Sequence, residues 1–105
     1  MSCYVVPTSK AGKWLGKKKY IVATDEGEAV ALACGEYCAT GIPATVVMGE
    51  NGLLNALDAI ITLSQLHEIP IDLKIFARDD EPQHKMVTDK LPQLLELFNI
   101  EAEIL

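Results

Sequence analysis

The chain has 105 residues and a formal net charge of −6, with half of its residues hydrophobic and only 6% aromatic. That length makes one domain around a single core, and no apolar run reaches the roughly 18 residues that a membrane-spanning helix requires. An acidic chain is a poor match for an extended nucleic-acid footprint, which needs many cations against phosphate, and without a basic segment followed by a long apolar one at the start the expected location is cytoplasmic.

Five lysines (Lys10, Lys13, Lys17, Lys18 and Lys19) crowd the first 19 residues, whereas all 15 acids lie beyond them. Gly12 and Gly16 enclose three residues where a phosphate loop has four, and neither Ser nor Thr follows the lysine, so that motif is absent. Order is least expected over this lysine-rich start. Residues 20–23 form a short apolar run between lysines and Thr-Asp, the pattern of a buried strand. Asp25 as N-cap with Glu28 three residues on has capping-box spacing, and the alanine-rich stretch up to Thr40 predicts a helix that Gly41 stops.

Pro43 introduces a valine-rich strand over residues 44–48, and residues 49–52 read as a polar turn. Dense apolar positions over 53–66 predict a helix buried on more than one side. A strand at 71–77 follows, then a charged loop at 78–83, expected to be exposed and mobile. Residues 84–90 read as a helical turn, Pro92 as the first turn of a separate helix to Asn99, and residues 102–105 as a last strand. Strands separated by helices of this length imply a three-layer α/β sandwich, a mainly parallel sheet with helices on both faces. Its ligand edge collects the segments 24–27, 49–55 and 78–84 at the carboxyl ends of strands.

Cys3, Cys34 and Cys38 make an odd set. Cys34 and Cys38 share one helical face, but with no second pair and no nearby histidine they read as reduced packing residues rather than metal ligands. His67 reads as a surface histidine at a helix end.

The three loops carry a resemblance. The runs DEGEAVALACGEYCATG (25–41), MGENGLLN (48–55) and DEPQH (80–84) resemble the pyrimidine-binding domain of thiamine-diphosphate-dependent decarboxylases, closest to the phosphonopyruvate and sulfopyruvate decarboxylases. There the stretches read approximately NEGEAVALAAGYYLATG, MQNSGLGN and DEPQH, in the same order and at similar separation. The likeness covers about residues 20–105, with a weaker echo of a VPDS loop in Val6-Pro7-Thr8-Ser9.

The resemblance implies roles for particular residues. Glu26 falls on the family's glutamate that hydrogen-bonds the cofactor's aminopyrimidine, favouring the imino tautomer that takes the proton from the thiazolium carbon. Gly52, Leu53 and Asn55 fall on the cofactor-binding turn. Ser9, Arg78, Gln83 and His84 fall around the substrate, with His84 a second candidate for proton transfer, since imidazole exchanges protons near neutrality. On composition alone, acids in a first helical turn are explained by the helix dipole; only the registered match singles out Glu26, leaving Asp25 and Glu28 as structural.

Departures accompany the match. Leu54 stands where relatives have glycine, so either the turn differs or the pocket is narrower. Glu50 replaces an uncharged residue and would repel an anionic substrate unless it points away. Relatives carry a glycine-containing insert between Arg78 and the DEPQH run, and it is missing here. The part corresponding to residues 1–19 is shorter than in relatives, and no GDG motif occurs. The resemblance therefore implies a subunit that holds only the pyrimidine end of thiamine diphosphate, with Mg2+ and the diphosphate held by a partner chain carrying GDG, in a homo- or hetero-oligomer. Three functions are compatible: a decarboxylase subunit for an acidic 2-oxo acid, a noncatalytic interaction or regulatory domain of the same fold, and a small-ligand binder using the strand ends alone.

Overall fold

The computed structural model describes residues 2–78 and 82–105. Asp79, Asp80 and Glu81 lie outside the described residues, and with them the first two positions of the DEPQH run. In chain order the elements are β1 (Cys3–Val5), α1 (Ser9–Leu15), β2 (Ile21–Val22), α2 (Glu26–Thr40), β3 (Thr45–Gly49), α3 (Glu50–Ala59) with a π-helical continuation (Ile60–Gln65), β4 (Asp72–Phe76), α4 (Pro82–Leu97) and β5 (Glu103–Ile104).

All strand pairs are parallel, in the order β2-β1-β3-β4-β5. The central strand β3 is buried on both faces, as a sheet covered on both sides requires, whereas β4 alternates buried Leu73 and Ile75 with the part-exposed Asp72 and Lys74. Val46 and Met48 of β3 join Tyr4, Leu73 and Ile75 in a core completed by α2, α3 and α4. Val47 points the other way and joins Val5, Phe76 and the α1 residues Ala11 and Leu15. The fold is the expected three-layer α/β sandwich, with three helices on one face and one on the other.

Four details correct the sequence reading. The lysine-rich start holds an inner strand and a helix. Val5 of β1 is fully buried, and α1 is capped by Thr8, whose hydroxyl accepts from the Ala11 amide at 3.1 Å. Lys18 lies 3.7 Å from the Trp14 ring centre, so part of the positive charge packs over an aromatic face. Three apolar residues ahead of a proline were too short a run to recognise.

Because β1 takes the inner position, β2 is pushed to the sheet edge. It has two residues rather than four, and Ile21 and Val22 are 49% and 59% exposed, not buried. Residues 49–52 are not a turn: Gly49 caps α3 and Glu50 is already helical. Finally, residues 84–99 do not break into a turn and a second helix. One helix runs from Pro82 to Leu97 with Pro92 inside it. An internal proline forfeits a backbone hydrogen bond, but Leu91 and Leu95 on either side of Pro92 are buried in the main core and hold the helix to the sheet.

Candidate active site

Strand order reverses direction between β1 and β3, since their following helices lie on opposite faces of the sheet. Such a reversal opens a crevice at the carboxyl ends of the strands. A cleft of about 160 Å³ lies there. Val6, Pro7 and Thr8 after β1 form one wall, and Gly49, Glu50, Asn51 and Gly52 at the β3–α3 junction form another. Glu26, Arg78 and His84 complete it.

Glu26 is the first residue of α2, and its two acidic neighbours already serve the helix end. Asp25 accepts from the Glu28 amide at 2.9 Å, and Glu28 accepts from the Thr24 amide at 2.9 Å. Glu26 is thereby released from capping. Its side chain crosses to α3, where Oε1 accepts from Asn55 Nδ2 at 3.1 Å. It can lie there only because residue 52 is glycine: a Cβ at that position would sit 2.6 Å from Glu26 Cγ, 2.7 Å from Cδ and 2.9 Å from Oε2. The second carboxylate oxygen is left beside the cleft, which Glu26 lines.

Glu50 differs. Carboxylates are almost never fully buried unless partnered, yet Glu50 is 1% exposed. Its Oε2 accepts from the Arg78 backbone amide at 2.5 Å and from the Thr88 hydroxyl at 2.7 Å. Thr88 Oγ1 also lies 2.7 Å from the Arg78 carbonyl and 3.0 Å from the His84 carbonyl, so one hydroxyl ties the β4 exit to α4. Glu50 Oε1 has no hydrogen-bond partner among the described residues. His84 Nδ1 is 3.8 Å from it and 3.4 Å from Asn51 Oδ1. Thr88→Val removes the hydroxyl while keeping the shape and leaves Glu50 buried with one donor fewer. The expected loss is about 1–3 kcal/mol of unfolding free energy, read by urea denaturation.

The structure brings together Glu26, Gly52, Asn55, Arg78 and His84 of the residues singled out in the sequence. Leu53 is fully buried in the main core. Ser9 opens α1 on the exposed side, and the cleft is lined by Thr8, Pro7 and Val6 instead. Gln83 is exposed in the first turn of α4, outside the cleft lining. Leu54 is helical and 50% exposed, so it neither requires a positive dihedral nor narrows this cleft. Sequence reasoning missed Thr88 and the burial of Glu50. The available signal was weak: Thr88 lies one helical turn beyond His84, and Glu50 lies just past Gly49 after a run of four buried strand residues.

A separate groove of about 700 Å³ runs between α2 and the π-helical segment, lined by Cys34, Cys38, Leu63 and His67 among others. Cys34 is buried and Cys38 exposed. Burial, and then the neighbouring Cys38, pushes the Cys34 thiol above its ordinary range; burial, and then Glu36, does the same for the Tyr4 phenol. These groups keep their protons in the folded chain to higher pH than in the unfolded one. Stability is therefore complete below the ordinary thiol range and falls as pH rises from there toward the raised folded values. Thermal melts across the alkaline range should show that decline, and iodoacetamide should label Cys38 well before Cys34.

Among the described residues no helix is long and apolar enough to cross a membrane. No family model matches the chain, and no curated protein matches it.

Proposed function

We propose that the chain is the pyrimidine-binding subunit of a thiamine-diphosphate-dependent decarboxylase acting on an acidic 2-oxo acid of the phosphonopyruvate or sulfopyruvate class. The observation that carries this reading is the Glu26 carboxylate, released from capping, laid across Gly52 and held by Asn55 at the switch-point cleft. The residues fit an aminopyrimidine: with Oε1 held by Asn55 and the side chain seated over Gly52, the other Glu26 oxygen would pair with a ring nitrogen. Bound thiamine diphosphate supplies the nucleophilic carbon and the electron sink.

The chain's own residues orient and move protons. Asn55 fixes Glu26 Oε1 and leaves Oε2 for the ring. His84, which lines the same cleft, would supply the proton that replaces carbon dioxide on the product, an aldehyde. Magnesium and the diphosphate are assigned to a partner chain carrying the GDG motif, as the resemblance implies. Leu32 on α2 and Leu54 on α3 are 40% and 50% exposed and offer that partner apolar surface on the two helices that carry Glu26 and Asn55.

The competing reading is a noncatalytic interaction domain, favoured by the small cleft and by the negative charge of Glu50. Mixing the chain with a GDG-bearing subunit, thiamine diphosphate and magnesium, and following carbon dioxide release from the two 2-oxo acids, decides between them. Complex formation without turnover is the result the interaction domain requires.

A further inference from the structure

Among the described residues, the buried side-chain oxygen or nitrogen without a hydrogen-bond partner is Glu50 Oε1. It belongs to a side chain that is 1% exposed and lines the cleft, while its sister oxygen is fixed by two donors. The same residue opens a ten-residue helix whose N-cap, Gly49, has no side chain to offer the first-turn amides. Helix N-termini attract anions through those amides, and Asn51 and Gly52 of that turn also line the cleft. Among the described residues, the other charged or titratable side chains lining it are Glu26 from α2, Arg78 after β4 and His84 from α4.

These features make opposite demands on a ligand. The helix end and Arg78 favour an anion, whereas a buried carboxylate oxygen accepts only from a group that carries a hydrogen. A fully ionised oxyanion answers the first demand and violates the second. An anion that keeps one acidic proton answers both: its charged oxygens face the amides and the guanidinium, and its O–H donates to Glu50 Oε1.

We infer that Glu50 is a specificity-determining residue that selects a phosphonate retaining one P–O–H over a sulfonate, which retains none. The inference rests on the decarboxylase reading and narrows its substrate to the phosphonate arm. No covalent change is involved, and the ligand's proton stays shared between phosphonate oxygen and carboxylate. Glu50 then accepts a charge-assisted hydrogen bond, one of the stronger kinds available.

The test needs neither cofactor nor turnover, so its failure is separable from failure of the decarboxylase assay. The chain is titrated at mildly acidic pH with methylphosphonate and with methanesulfonate, two monoanions of similar shape that differ in the proton, and amide shifts of residues 49–52 are followed by NMR. Methylphosphonate should bind about tenfold or more tightly than methanesulfonate, the effect of one hydrogen bond to a charged group. In Glu50→Gln the amide donates where the carboxylate accepted, so the preference should vanish or reverse. Equal binding of both anions by the unmodified chain, binding of neither, or an unchanged preference in Glu50→Gln overturns the assignment. Should Glu50→Gln fail to fold, the comparison on the unmodified chain still decides.

Discussion

Gly52→Ala should leave the fold intact and disable the site. Inside an α-helix, alanine is normally favoured over glycine by about 1 kcal/mol, so a helix that gained a methyl group in open space would melt higher. Here the added Cβ meets Glu26 at 2.6–2.9 Å along most of its carboxyl end. The Glu26 side chain is flexible and only half-buried, so it swings away instead of forcing α2 and α3 apart. The helix gains propensity, the Asn55 to Glu26 hydrogen bond is lost, and the two nearly cancel in unfolding free energy. On the proposed reading, activity has no such compensation. A displacement of about 1 Å in a reacting group costs on the order of 100-fold in rate, and turnover of the reconstituted complex should fall by that much or more. The double variant Gly52→Ala, Glu26→Ala relieves the clash and should be about 1 kcal/mol more stable than Glu26→Ala alone. A large loss of stability in Gly52→Ala would mean that the glycine serves helix packing and not the placement of Glu26.

Gly52 also shows how far the sequence could be read. Glycine within a polar run is the ordinary mark of a turn, and residues 49–52 therefore suggest one. The structural reason for this glycine lies 26 positions away, in the side chain of Glu26, and local pattern does not encode that distance. The same limit hid β1. Three residues before a proline make no periodic signal, and only pairing with Ile21–Val22 on one side and β3 on the other makes them a strand. Where the signal was local it was legible. The Asp25–Glu28 cap, the Gly41 stop, with Gly41 in the left-handed region at φ 73°, and the β3 and β4 strands follow from residue type and spacing. The candidate site divides differently: Glu26, Asn55 and His84 were singled out by the registered resemblance and not by local pattern, whereas the burial of Glu50 depends on Arg78 and Thr88 arriving from other elements.

Glu26→Gln and Asp25→Ala should separate chemistry from capping within two adjacent acids. Glutamine keeps the length of the side chain and an oxygen to accept from Asn55 Nδ2, so the geometry across Gly52 survives. On the proposed reading, what is lost is the acid that would exchange a proton with the cofactor ring, and turnover in the reconstituted complex should drop by about 10²–10⁴-fold. Stability should change by no more than about 0.3–1 kcal/mol, the value of one charge at a helix N-terminus, because Asp25 and Glu28 still close the helix end. Asp25→Ala should invert the pattern. The Glu28 amide loses its acceptor, the domain loses about 1 kcal/mol, and turnover falls by a small factor only. Both variants are measured twice, by thermal melting of the chain alone and by carbon dioxide release with the partner present. If the two acids moved both readouts together, Glu26 would be a third cap and the cleft would have no proton-transfer group on α2.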